Sequence, residues 1–362
     1  MATTYAAEVF FDGEQLRHGV QVTVDNGVVV SIDPCTGSPD YYLISPGLID
    51  LQMNGFGSVD VSVADNNDFR ALDEELLRHG TTSWLAIIVT APLERLTTSI
   101  RSLGQRIATA STGCYGIHIE GPFLGNAPGA HNPAWIIPFE PEWISALSSD
   151  VKLITVAPEQ PKAETFISQL VQQGVVVSLG HTRATDREFQ AAVSSGAAMV
   201  THLFNGMSGV HHREEGVALQ ALTTPSVVAG VIADLVHVSP SAVQLAFVAK
   251  GSRGVCLVSD SVAWASEWAQ RRGIAVTDGA PRLPDGTLAG SSTPLSTCVR
   301  NVVQACGVSL QDALTSATKT PATLLGYPQM GCIAPGQRAD LVMFDEGLSV
   351  VNACRGLVSI RG

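Results

Sequence analysis

Residues 114–123 read CYGIHIEGPF, residues 175–182 read VVVSLGHT and residues 197–207 read AAMVTHLFNGM. In each, a short apolar, β-branched run closes on a side chain able to ligate a metal: Glu120, His181 and His202. Runs of this kind read as buried strands, and an α/β barrel assembles its chemistry at the C-terminal ends of its strands. The three segments therefore predict parallel barrel strands whose ends meet around one centre.

The same signature recurs on either side. ISPGLIDLQMN (44–54), TTSWLAIIVT (81–90), VKLITVAP (151–158), SVVAGVIAD (226–234) and GVCLVSD (254–260) are further apolar runs, separated by amphipathic stretches such as ETFISQLVQQG (164–174) and DREFQAAVSSG (186–196). Strand and helix signals alternating in this way predict an α/β fold, a (β/α)8 TIM-like barrel over residues 46–329. The flanks are different in kind. EVFFDGE (8–14) and VQVTVDNGVVVSID (20–33) alternate and turn, with Asp25-Asn26-Gly27 as a hairpin signal, and GCIAPGQRADLVMFD (331–345) and LSVVNACRGLVSIRG (348–362) behave likewise. Isolated hairpins are marginal, so residues 1–45 and 330–362 are expected to form one small β-sandwich domain from both termini.

With 362 residues, 45% of them hydrophobic, the chain can bury an extensive core. A formal charge of −12 argues against nonspecific nucleic-acid binding, which needs clustered Lys and Arg, and obliges an anionic ligand to find a local basic pocket. The seven cysteines (Cys35, Cys114, Cys256, Cys298, Cys306, Cys332 and Cys354) are scattered without CxxC spacing, which predicts buried, reduced thiols. The opening MATTYAAEVFFDGEQLRHG has no basic n-region, and no later segment is an unbroken apolar span of about 20 residues. A soluble, cytoplasmic protein with no membrane partner is expected.

Two imidazoles and a carboxylate suit a divalent ion that keeps one position open for water. Glu120, His181 and His202 supply that set; otherwise each is a satisfied polar residue at a barrel rim. His118, two residues before Glu120, reads as packing or support for the ligands. Asp260 ends the eighth run and is either a helix cap or a general base across the barrel mouth.

PGLIDLQMNG (46–55), HIEGPF (118–123), GAHNP (129–133), GHTRAT (180–185), THLFNGM (201–207), IADLVHV (232–238), LVSD (257–260), LAGSS (288–292) and GCIAPGQRADLVMFD (331–345) occur in register along the chain. Together they resemble the N-acetylglucosamine-6-phosphate deacetylase family of the amidohydrolase superfamily. The resemblance implies that Glu120, His181 and His202 hold one divalent metal per subunit, with Zn2+ first and Fe2+, Co2+ or Mn2+ as alternatives. It further implies that Asp260 is the acid/base, that His131 hydrogen-bonds the acetyl carbonyl, and that Asn205, Gly206, Arg213 and His237 bind a 6-phosphate. The implied reaction is hydrolysis of the acetamide of an amino-sugar phosphate, a small-molecule substrate, by a homodimer. The galactosamine epimer as substrate, a cyclic-amide hydrolase and a catalytically silent binding barrel are the rival readings.

The departures from the pattern carry information too. Where amidohydrolases with two metals have His-x-His, this chain has Gln52 and Asn54, amides that bind a cation poorly and hold a water instead. Lys152 stands at the beginning of VKLITVAP, where it cannot bridge two metals. Both point to the single-metal branch. Arg213-Glu214-Glu215-Gly216 replaces the usual Arg-Glu-Pro-Gly, and SVAWASEWAQRRG (261–273) diverges, with Trp264 and Trp268 either lining the pocket or packing the loop. His211 and His212 read as exposed loop residues, and His18 and His79 as structural.

Overall fold

The computed structural model describes residues 2–145 and 147–361. Eight parallel strands follow the predicted order: Leu48–Met53, Thr81–Val89, Cys114–Glu120, Val151–Val156, Val176–Leu179, Met199–Val200, Val228–Ile232 and Val255–Val258. Each is paired with the next, so Thr155 of the fourth strand lies opposite Glu120 of the third and Ser178 of the fifth. The ladder stops between the eighth strand and the first. There Ser259 N donates to Asp50 Oδ1 (3.2 Å) and Asn54 N to Ser261 O (2.9 Å), which closes the seam.

Side chains fill the barrel rather than leaving a pore: Ile49, Leu85, Leu153, Met199, Ile232 and Cys256 pack together inside it. Helices cover the outside because their apolar residues repeat at three- and four-residue spacing. In Asn66–Arg78 these are Phe69, Leu72, Leu76 and Leu77, all buried, and a capping box of Asp65 with Asp68 fixes where that helix starts. Each such side chain contributes about 1.5 to 3 kcal/mol when taken fully out of water. Thr185 and Glu188 form the same box at the start of Asp186–Ser194, directly after the loop that carries His181.

The two ends of the chain meet as expected, in one seven-stranded mixed sheet. Its order is Val358–Arg361, Val350–Arg355, Asp340–Phe344, Tyr41–Pro46, Thr3–Phe11, Leu16–Asp25 and Val28–Pro34. It has its own core of Phe10, Val22, Val29, Ile44, Leu341 and Met343. Asn26 (φ 51°) and Gly27 (φ 75°) make the hairpin turn that the sequence announced. One buried ion pair rivets this sheet to the barrel: Arg355 Nη1 and Nη2 donate to Asp73 Oδ1 (2.8 Å) and Oδ2 (2.5 Å). Trp84 Nε1 (2.9 Å) and Gly113 N (2.8 Å) also donate to Asp73 Oδ1.

The cysteines are free thiols, but only five are buried; Cys35 and Cys332 are half-exposed, because they sit in loops outside either core. Among the described residues no helix is long and apolar enough to cross a membrane.

Candidate metal centre and active site

Glu120 is the last residue of the third strand, while His181 and His202 lie just beyond the fifth and sixth. His181 (φ 50°), His202 (φ 31°) and Asp260 (φ 48°) all adopt the left-handed backbone region, which is costly for residues with a Cβ. The strain turns each strand end sharply and aims its side chain across the barrel mouth. As a result His181 Nε2 and His202 Nε2 each lie 3.0 Å from Glu120 Oε1 and 3.1 Å from each other. His131, on the loop after the third strand, joins them: its Nε2 is 3.2 Å from His181 Nε2 and 4.0 Å from Glu120 Oε1. Glu120, His131 and His181 alone already satisfy the spacing of a metal site. The sequence placed His131 at the site but not within the cluster.

The hydrogen bonds at the back of the rings decide what the cluster can hold. His181 Nδ1 donates to Ala127 O (2.9 Å) and His202 Nδ1 to Asn205 O (3.1 Å). With Nδ1 committed to a carbonyl, Nε2 of each ring faces inward, and its lone pair becomes a metal ligand once its proton is given up. Two such lone pairs and a carboxylate at about 3 Å repel one another unless protons or a cation lie between them, and the donor set of two imidazoles and a carboxylate fits a divalent ion. The electrostatics show how strongly this point calls for positive charge. Burial disfavours a charged Glu120, yet hydrogen bonds from His181 and His202 hold it well below the usual carboxylate range. Burial also works against a charged His202, but the Glu120 hydrogen bond and charge, with Asp260 behind them, raise it to about 9. His131, buried and next to His181, is pushed down to about 3 and is neutral.

Asp260 follows the eighth strand, and burial together with the Glu120 charge raises it to about 7. Asn54 Nδ2 donates to its Oδ1 (3.0 Å), so the Asn54 amide orients Asp260. Gln52 is fully buried, and neither its Nε2 nor its Oε1 has a protein partner. Lys152 is where the sequence put it, at the start of the fourth strand, donating to Ser149 O (2.8 Å).

The phosphate candidates are less tightly gathered. Gly206 lies against the His181 ring, where an added Cβ would come 2.9 Å from Nδ1, and its carbonyl accepts from Thr182 N (3.0 Å). His237 lies in the loop after the seventh strand, where Asp234 caps the turn by accepting from Val236 N and His237 N. Asp234 Oδ2 also accepts from His237 Nδ1 (2.7 Å). Arg213 is exposed and makes no ion pair among the described residues. Glu215 turns away from it and accepts a hydrogen bond from Gln220 Nε2. His211 and His212 are exposed, their rings 4.7 Å apart.

Several supports were not singled out in the sequence. Glu159, just past the fourth strand, accepts from Asn126 N (3.2 Å), Arg183 N (3.0 Å) and the Thr182 hydroxyl, and so ties the His131 loop to the His181 loop. Trp264 packs on Phe56, and Trp268 packs against the cluster of Ala269, Ile274 and Ala289, so the divergent loop uses both tryptophans for packing. Arg272 stacks on Trp268 and donates to Ala130 O (2.9 Å), holding the backbone beside His131. A carboxylate flanked by a buried orienting network is visible in sequence only as one acidic residue in a turn.

A parallel barrel with imidazoles and a carboxylate converging at its C-terminal rim has the build of a barrel hydrolase with a candidate metal centre, and comparison with known proteins narrows the class. The Amidohydrolase family profile matches residues 43–357. The N-acetylgalactosamine-6-phosphate deacetylase of Shewanella sp. (strain ANA-3) is 33% identical over 365 residues, covering 95% of this chain and 92% of its own. The N-acetylglucosamine-6-phosphate deacetylase of Homo sapiens is 34% identical over 332 residues, 85% of this chain and 81% of its own. The Mycobacterium smegmatis N-acetyl-D-glucosamine-6-phosphate deacetylase, a mutant solved with N-acetyl-D-glucosamine-6-phosphate, superposes with a TM-score of 0.91 at 28% identity over 100% of both chains. The chain belongs to the amidohydrolase family, among its amino-sugar-6-phosphate deacetylases.

Proposed function

We propose that the protein hydrolyses the acetamide of N-acetylglucosamine 6-phosphate to glucosamine 6-phosphate and acetate. The observation that supports this most directly is the convergence of Glu120, His181 and His202 at about 3 Å, with Asp260 beside them, on a barrel matched to deacetylases. When bound, a divalent ion there would lower the pKa of a water towards about 7 and polarise the amide carbonyl.

Asp260, aligned by Asn54, accepts a proton from the attacking water as that oxygen bonds to the acetyl carbon. It then delivers the proton to the amide nitrogen as the C–N bond breaks, so that acetate and the free amine leave. His131, neutral and within the cluster, offers an N–H to the carbonyl oxygen as charge builds on it. The amides of Gln52 and Asn54, in place of a second ligand pair, limit the site to one metal, and Gln52 is free to hold a water. Arg213, His237 and the Asn205-Gly206 loop take the phosphate, and the active form is a homodimer.

A second reading, the galactosamine epimer, is favoured by the Shewanella sp. relative, whose alignment spans 95% of this chain. Side-by-side acetate release from the two 6-phosphates, by protein of measured metal content, separates them. The first reading requires the higher kcat/KM on the glucosamine epimer; the reverse ratio installs the second, and no acetate from either removes both.

A further inference from the structure

Directly beneath the ligands, inside the barrel, runs a chain of side-chain hydrogen bonds that the reaction itself does not use. His118 Nδ1 contacts Leu51 O (2.9 Å) and its Nε2 contacts Thr155 Oγ1 (2.8 Å). Thr155 Oγ1 lies 2.7 Å from Thr201 Oγ1, which lies 2.6 Å from Ser178 Oγ. All four side chains are buried, at most 1% exposed. The chain joins the first, third, fourth and fifth strands to the turn after the sixth, and three of these lead to the candidate metal ligands: His118 shares a strand with Glu120, Thr201 directly precedes His202, and Ser178 stands on the strand leading to His181. Gly180 makes room for it, since a Cβ there would come 2.8 Å from Thr155 Cγ2 and 2.9 Å from Thr201 Cβ.

For a neutral His118 ring the direction of every bond is fixed. A carbonyl only accepts, so His118 Nδ1 carries the hydrogen, and Nε2 of the neutral ring must receive one. Thr155 therefore donates to His118, Thr201 donates to Thr155, and Ser178 donates to Thr201. Each hydroxyl has one hydrogen, so no link can reorient without leaving a buried partner unpaired.

We propose that Thr155 is a positioning residue for the metal centre: as the hub of this chain it locks the relative depth of the Glu120, His202 and His181 strands. The inference rests on the metal-centre reading above but not on the identity of the sugar. Its test is the divalent-ion affinity of the full chain, measured with Zn2+ by chelator competition at a temperature where circular dichroism shows each apo variant folded. Thr155→Val keeps the shape while removing the hydroxyl, and is expected to weaken Zn2+ binding about ten- to a hundredfold, the usual effect of losing a support behind a ligand. Thr155→Ser restores the hydroxyl and is expected to stay within about threefold of the unaltered protein. Should Thr155→Val fail to fold, Thr201→Val cuts the next link and carries the same expectation. Equal Zn2+ affinity in Thr155→Val and the unaltered protein overturns the proposal, as does an equal loss in Thr155→Val and Thr155→Ser, which would assign the effect to packing. An unaltered protein that binds no divalent ion sinks the metal-centre reading instead.

Discussion

Asp260 spends one carboxylate oxygen on the Asn54 amide, which leaves the other free for the proton transfer proposed above. Asp260→Asn preserves size while removing the transferable proton site. The variant is expected to keep its metal content and substrate KM and to lose about 10² to 10⁴-fold in kcat, the range of general acid/base contributions. A kcat within a few-fold of the unaltered enzyme would reduce Asp260 to a turn residue. Arg213 is a different case, because it is exposed, without an ion pair among the described residues, in a chain of net charge −12. A guanidinium in that setting is free to pair with phosphate oxygens. Arg213→Ala should lower kcat/KM for the 6-phosphate about ten- to a hundredfold, corresponding to a charge-assisted contact of about 1.5 to 3 kcal/mol, and leave the unphosphorylated sugar unchanged. Equal losses on both substrates would move the phosphate role to His237 or the Asn205-Gly206 loop.

The loop after His202 shows how an element, rather than a residue, builds the centre. Gly206 adopts φ 57° and presses on the His181 ring, with no room for a Cβ between backbone and Nδ1. Gly206→Ala is expected to fold but to push the ring off its Ala127 carbonyl, with metal affinity and activity falling together; full metal affinity in a stable variant would show that the loop yields instead. The strands bearing these loops were legible because a strand buried on both faces is a β-branched run, and Glu120, His181, His202 and Asp260 interrupt such runs at their ends. The hairpin turn at Asn26-Gly27 was legible for a local reason, since both central residues need positive φ. The supports were not. Thr155, Ser178 and Thr201 are ordinary strand residues by propensity, and only the three-dimensional register brings their hydroxyls into line. His131 lies on a loop, so no periodicity could place its ring against His181.

At the scale of the molecule, the barrel holds a buried acid that takes no part in the proposed chemistry. Asp50 is fully buried at the barrel seam; its Oδ1 accepts from Gln52 N (3.1 Å) and Ser259 N, its Oδ2 has no protein partner, and burial raises its pKa to about 6. Between the unfolded value of 3.8 and about 6 the folded state therefore binds more protons than the unfolded one, so this group's contribution to stability falls as pH rises through that window. Asp50→Asn removes the penalty while keeping an Oδ1 acceptor. Its melting temperature relative to the unaltered protein should climb from pH 4 to pH 6 and level off above, with a gain of order 3 kcal/mol as the upper bound. A difference that does not vary with pH would mean that Asp50 ionises normally in the folded state. The terminal sheet has a consequence of another kind, one of timing. Tyr41–Pro46 pairs on one side with Thr3–Phe11 and on the other with Asp340–Phe344, so a ribosome releases one edge of this strand hundreds of residues before it makes the partner. Throughout synthesis of the barrel, an apolar strand edge stays open to pairing with a neighbouring nascent chain.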